Sequence, residues 1–130
     1  MQLSKFTDYA FRALMYLGRN SKENLTIDRL SEDLDIPLHH LKKIINKLAK
    51  TEYLTSIKGR NGGVKLGLTP DKINLGEVLK LTEENLNLVE CMNNKSTCPL
   101  IYDCKLKGAI SSSLKSFIKE MSKYTLEDIL

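Results

Sequence analysis

Phe6, Tyr9, Ala10, Ala13, Leu14 and Leu17 return every three or four residues, the period of one face of an α-helix, and Ser4 stands where it can cap that helix. Ile27, Leu30 and Leu34 repeat the pattern over a shorter stretch, with Thr26 as cap and Asp28 near the positive end of the helix dipole. Asp35-Ile36-Pro37 interrupts it. Pro37 has a fixed φ and no N–H, so it fits best at the start of a second helix. That helix buries Leu38, Leu41, Ile44, Ile45 and Leu48 and offers His39, His40, Lys42, Lys43 and Lys47 on its other side. Tyr53 to Lys58 and Val64 to Leu68 then read as strands, joined by a tip of Gly59, Arg60, Asn61, Gly62 and Gly63. Gly62-Gly63 permits turn geometry or a close backbone approach to a phosphate. Leu25 and Thr26 can add a short strand to this pair. Two short helices followed by a hairpin make a winged helix-turn-helix, a module that usually binds duplex DNA.

Beyond the wing, Thr69-Pro70-Asp71 closes the hairpin, and Asn74 with Glu77 has capping-box spacing ahead of an apolar helix carrying Leu75, Val78, Leu79 and Leu81. Leu86 to Val89 reads as extended, and Glu90 to Lys105 as an irregular loop, because Pro99 and Asn93-Asn94 oppose regular structure. A long helix follows, from about Ile101 or Leu106 to Tyr124. Ile110, Leu114, Phe117 and Met121 line one side of it, with Leu106, Ala109 and Ile118 at the edges. Pairing with a second copy about a two-fold axis buries such a stripe; folding back on its own domain is the other solution. Thr125 and Asp128 cap a final turn docked by Leu126, Ile129 and Leu130.

The predicted fold is mainly α with a small β-wing. Residues 1–82 form a winged helix-turn-helix DNA-binding domain and residues 83–105 a cysteine-bearing sensor loop. Residues 106–130 form a dimerisation helix and C-terminal turn, all packed as one compact unit.

Charge sharpens this picture by its placement. The net charge of +4 is a mild basic bias. Lys42, Lys43, Lys47, Lys50, Lys58 and Arg60, however, gather around the second helix and wing, with Glu52 the sole acid among them. His39, His40 and Lys43 are then candidates for base edges, Lys42, Lys47 and Lys50 for phosphates, and Arg60 and Asn61 for the flanking minor groove. A solvated helix face is the bland reading of the same charges. No apolar run is long enough to span a membrane, and the start lacks a basic region followed by an apolar signal core, so a cytoplasmic location is expected. The two histidines make no nucleophile or acid–base constellation, which argues against an enzyme.

Cys91, Cys98 and Cys104 are separated by six and five residues within one polar, turn-rich stretch. In a reducing compartment this grouping points to metal or redox chemistry rather than disulfides. Three small buried hydrophobes are the alternative. Thiolates suit iron–sulfur clusters, Zn²⁺ or Cu(I). Three of them complete neither a tetrahedral zinc site nor a four-cysteine cluster, so a fourth ligand must be distant, from another subunit or exogenous.

At these residues the sequence resembles the small bacterial winged-helix iron–sulfur regulators, and within them the nitric-oxide-sensitive repressor type. The resemblance runs through Leu3-Ser4-Lys5-Phe6-Thr7-Asp8-Tyr9-Ala10, Arg12-Ala13-Leu14, the glycines of the wing and Ile73-Asn74-Leu75-Gly76-Glu77-Val78. It continues through Val89-Glu90-Cys91, Cys98-Pro99-Leu100, Cys104-Lys105-Leu106 and the ending Tyr124-Thr125-Leu126-Glu127-Asp128. The Cys91 to Cys98 step is one residue longer than the family's common pattern. The resemblance implies a homodimeric repressor of double-stranded operator DNA with one [4Fe–4S] cluster per subunit. Cys91, Cys98 and Cys104 match the cluster cysteines, and Asp8 matches a fourth ligand given by the partner chain, with Arg12 placed to orient it. It further implies nitric oxide as effector, nitrosylation releasing the operator. A regulator responding to iron–sulfur supply, redox state or another metal, with a [2Fe–2S] cluster or zinc in the loop, is the alternative.

Overall fold

A computed structural model describes residues 1–130. Helix α1 (Lys5–Arg19) begins where Ser4 Oγ accepts the Thr7 N–H at 3.2 Å and buries Thr7, Ala10, Ala13, Leu14 and Leu17. Thr26 caps α2 (Ile27–Leu34) by accepting the Arg29 N–H at 3.2 Å. Asp35 ends α2 in the left-handed region at φ 51°, and the Ile36 N–H returns to Ser31 O at 3.1 Å. Pro37 is the N-cap of α3 (Leu38–Ala49), which buries Leu41, Ile44, Ile45 and Leu48 while Leu38 stays half-buried.

The wing is an antiparallel pair, β1 (Leu54–Ile57) and β2 (Gly63–Leu66), in register Leu54 to Leu66 and Ile57 to Gly63. Each strand is shorter than its alternation predicts. Leu25 joins through a single bridge, the Val64 N–H donating to Leu25 O at 2.7 Å.

Helix α4 (Leu75–Thr82) starts at Asn74, whose Oδ1 accepts the Glu77 N–H at 3.2 Å. The reciprocal half of the capping box is absent, because the Glu77 carboxylate pairs with Lys80 at 2.6 Å instead. No strand forms over residues 86–89, and the following loop contains a short 3-10 turn, Glu90–Met92. The last helix, α5, spans Lys105–Met121. It stops short of Tyr124 because the chain turns back there: Tyr124 O accepts the Leu75 N–H at 3.0 Å, and Leu126 donates to Ile73 O at 2.8 Å. Thr125 then bonds Asp128 through its N–H at 2.7 Å, fixing the final turn.

One hydrophobic cluster of 17 buried residues runs through α1, α2, α3, the wing and α4, and Leu126 closes it from the C-terminus. Full burial of Leu126 is worth about 1.5–3 kcal/mol relative to exposure. Helix α5 contributes no buried residue. Ile110, Leu114 and Met121 are half-buried, while Leu106 and Phe117 are 64% and 46% exposed. The stripe is real, but this chain alone does not cover it.

Glu83, just past α4, was not legible as a structural residue. Its carboxylate accepts from the Ser4 N–H (3.1 Å), Ser4 Oγ (3.0 Å) and Thr7 Oγ1 (2.7 Å), tying the end of α4 to the start of α1. Burial pushes its pKa up, yet the three hydrogen bonds together outweigh burial and hold it below the usual carboxylate range. A depressed folded-state pKa stabilises the fold above the unfolded value and loses that contribution as pH falls through the folded value. Glu83→Gln should therefore be less stable than the parent at neutral pH. The deficit should shrink as pH drops through and below the carboxylate range, as read by urea unfolding at each pH. A deficit independent of pH would show that the charge of Glu83 does not contribute.

Candidate nucleic-acid interface and cysteine loop

Helix α3 presents His39, Lys42 and Lys43 to solvent. Its first turn carries no acid. His40 is half-buried, its ring 4.2 Å edge-to-face from His39 and 6.2 Å from the Tyr9 ring of α1. The contact continues away from α3. The Arg12 guanidinium lies 5.8 Å from the centre of Tyr9 and bonds Asp8 at 2.7 Å. Lys47 points elsewhere than Lys42 and Lys43. Its Nζ lies 5.3 Å from the Phe6 ring and 3.9 Å from Glu84. An exposed ion pair of that length adds between nothing and about 1 kcal/mol, so it steers Lys47 more than it stabilises the fold. Lys50 follows the last turn of α3 and is exposed.

The wing tip is a turn in which the Gly62 N–H donates to Gly59 O at 2.9 Å, placing exposed Arg60 and Asn61 at its corner. Gly59 supplies the positive φ, 109°, that L-residues rarely adopt. Gly62 and Gly63 serve close approach within the protein: an added Cβ would lie 2.2 Å from Ile57 O at the first and 2.1 Å from Asn24 Oδ1 at the second.

The cysteines occupy three different local settings. Cys91 sits in the 3-10 turn, Cys98 accepts the Ile101 N–H at 3.2 Å through its carbonyl, and Cys104 is the N-cap of α5. All three are half-buried free thiols. In donor type the three suit an iron–sulfur cluster, one ligand short of a full set. Within a single chain, however, no three His, Cys, Asp or Glu side chains converge to hold a metal ion. Asp8 is engaged by Arg12 on α1 rather than grouped with the thiols. The loop around the cysteines is rich in uncovered apolar surface, with Leu100 70% and Tyr102 99% exposed. Beside it, an apolar recess of about 350 Å³ opens between Leu3, Leu79, Leu86, Leu114 and Phe117.

A helix-turn-helix with a basic outer face and a two-stranded wing, joined through a thiol-bearing loop to a long uncovered helix, defines a winged-helix DNA-binding regulator. The chain belongs to the Rrf2 family, described as an iron-dependent transcriptional regulator, whose model matches residues 3–130. It is 41% identical over 132 positions to the HTH-type transcriptional regulator NsrR of Halalkalibacterium halodurans, covering 100% of this chain and 90% of that protein. NsrR of Bacillus subtilis is 37% identical over the same length, again with 100% and 90% coverage. Among solved structures, T. potens IscR superposes with a TM-score of 0.76 at 19% identity, covering 99% of this chain and 85% of that one. CymR, the global cysteine regulator of B. subtilis, superposes at 0.66 with 21% identity, covering 99% and 95%. These similarities are to transcriptional regulators, not to catalysts. No helix of the chain is long and apolar enough to cross a membrane.

Proposed function

We propose that this chain is a homodimeric, sequence-specific repressor whose operator binding responds to an iron–sulfur cofactor held by Cys91, Cys98 and Cys104. The observation that carries the reading is the match to an iron-dependent regulator family across residues 3–130, in a chain whose three cysteines all fall in the loop ahead of α5. Helix α3 supplies the groove-reading face, with His39, His40 and Lys43 toward bases and Lys42 and Lys50 toward phosphates. Lys47 reaches phosphate only by leaving Glu84, and Arg60 and Asn61 enter the flanking minor groove. Pairing of two α5 stripes sets the separation of the two α3 helices.

A bound cluster supplies iron that is open to redox change or to a small-molecule ligand. The protein converts the state of the loop into helix position. Cys91 and Cys104 lie on a turn and a helix that pack together, so gathering or releasing the thiols repositions the start of α5. Asp8, as the ligand offered to a partner subunit, is bonded to Arg12, which lies over Tyr9, and Tyr9 faces His40 on α3. Drawing Asp8 away from Arg12 therefore bears on α3, a coupling between two states rather than action at a distance.

A finer reading, a [4Fe–4S] cluster with the partner subunit's Asp8 as fourth ligand and nitric oxide as effector, is supported by 37–41% identity to regulators named NsrR. Native mass spectrometry of protein purified without oxygen, followed by operator titration before and after nitric oxide, tests both levels. A dimer carrying two clusters that loses operator affinity on nitric oxide addition is expected. A cluster-bearing dimer indifferent to nitric oxide but sensitive to oxidation or cluster loss would overturn the finer reading alone. A zinc-bearing or metal-free dimer after anaerobic reconstitution would overturn the cofactor.

A further inference from the structure

We propose that Asn24, in the loop ahead of α2, is the positioning residue that holds the wing tip, and with it Arg60, for contact with the flanking minor groove; this rests on the reading of the wing given above. A hairpin of two strands is marginal in water by itself, and this wing has only two. Its base is anchored by buried Leu54 and Val64 and by the Leu25 bridge. The tip has one further tether. Asn24 Nδ2 donates to Asn61 O at 2.9 Å and to Gly62 O at 3.4 Å, and no other side chain hydrogen-bonds residues 58–62.

The chemistry at this position is selective. Both acceptors are backbone carbonyls, so the tether needs a donor. The amide of Asn supplies two N–H groups, whereas an aliphatic or carboxylate side chain of similar size supplies none. Room for it comes from Gly63, where a Cβ would overlap Asn24 Oδ1. On its other side Asn24 is separated only by fully buried Leu25 from Thr26, the N-cap of α2. The tip is thereby tied to the frame that carries α3, not merely to its own hairpin. A cationic tip held in place before binding avoids the ordering cost that a loose one incurs at the groove.

Operator titrations on duplexes with A/T-rich and G/C-rich flanks test this, using the parent, Arg60→Ala, Asn24→Ala, Asn24→Leu and the Asn24→Ala/Arg60→Ala double variant. Arg60→Ala and either Asn24 variant should each weaken binding to the A/T-flanked operator about three- to tenfold and narrow the flank preference. The double variant should be no worse than Arg60→Ala, and melting temperatures should stay near the parent's. If Arg60→Ala changes neither affinity nor flank preference, the wing does not read the minor groove and the underlying assignment fails. If Arg60→Ala has its effect while Asn24→Ala has none, or if the two losses multiply, Asn24 does not position Arg60 and the proposal is overturned.

Discussion

Phe117→Glu is expected to give a folded monomer whose operator affinity is about a hundredfold or more below the parent's. Phe117 is 46% exposed in the single chain, and α5 gives no residue to the hydrophobic core. A charge there costs the isolated fold about 1 kcal/mol, because Phe117 is only half buried and lines an open recess rather than the core. In a symmetric pair the same change brings two carboxylates into an apolar seam, where each is desolvated without a partner. The affinity loss follows from tethering. Two recognition helices held by one dimer bind the second half-site intramolecularly, an advantage on the order of 10²–10⁴ that separate monomers forfeit. Sedimentation, circular dichroism and operator titration on one preparation read all three quantities. Lys119→Glu, on an exposed position of α5 outside the stripe, serves as the control and should leave them unchanged. A Phe117→Glu protein that stays dimeric and binds at full strength would overturn pairing through this stripe.

Much of the fold was legible because its signals are local. Ser4, Thr26 and Asn74 cap the helices they precede, each accepting an N–H three residues on, and Pro37 opens α3. The Asp8–Arg12 pair, four residues apart, forms at 2.7 Å. What escaped lies far apart in sequence. The Glu83 carboxylate reaches Ser4 across 79 residues, and Asn24 reaches Asn61 across 37. Neither residue stands out, since an acid after an apolar helix and an Asn in a polar loop are ordinary. Lys47 shows the same limit from another side. Helical periodicity places it on the polar face of α3, but Phe6 and Glu84, from other elements, turn its ammonium toward α1. Alternation continues past the last ladder bonds at both ends of β1 and at the C-terminal end of β2, whereas Gly63, a tip residue by sequence, pairs with Ile57 inside β2.

For the candidate site the sequence offers residue types, three cysteines in one loop and a basic helix face, but not their assembly. The cysteine spacing and the basic placement name the groups. Whether the thiols converge is a property of loop closure and of a second chain, which periodicity in one chain does not encode. The α5 stripe is the clearest instance. Its apolar period reads as a buried face, and the single chain leaves that face uncovered.

Cys98→Ser should lower retained iron and sulfide by about tenfold or more while leaving the winged helix folded. A serine hydroxyl is not ionised near neutral pH and is a hard oxygen donor, so the loop drops from three soft ligands to two. Replacing residues that merely orient metal ligands already costs roughly 10–100-fold in metal affinity, and removing a ligand costs no less. The fold has little at stake. Cys98 is a half-buried free thiol outside the core cluster, and the Ser96 hydroxyl bonds its backbone N–H at 3.3 Å, an interaction independent of the side chain. Iron and sulfide per subunit after anaerobic reconstitution, read beside thermal melting, separate cofactor loss from unfolding. Operator binding by the variant should no longer change on exposure to oxidant or nitric oxide, because the group through which the loop responds is gone. Full iron and sulfide occupancy would remove Cys98 from the ligand set. Cofactor loss with an effector response intact would place the sensing chemistry outside the cysteine loop.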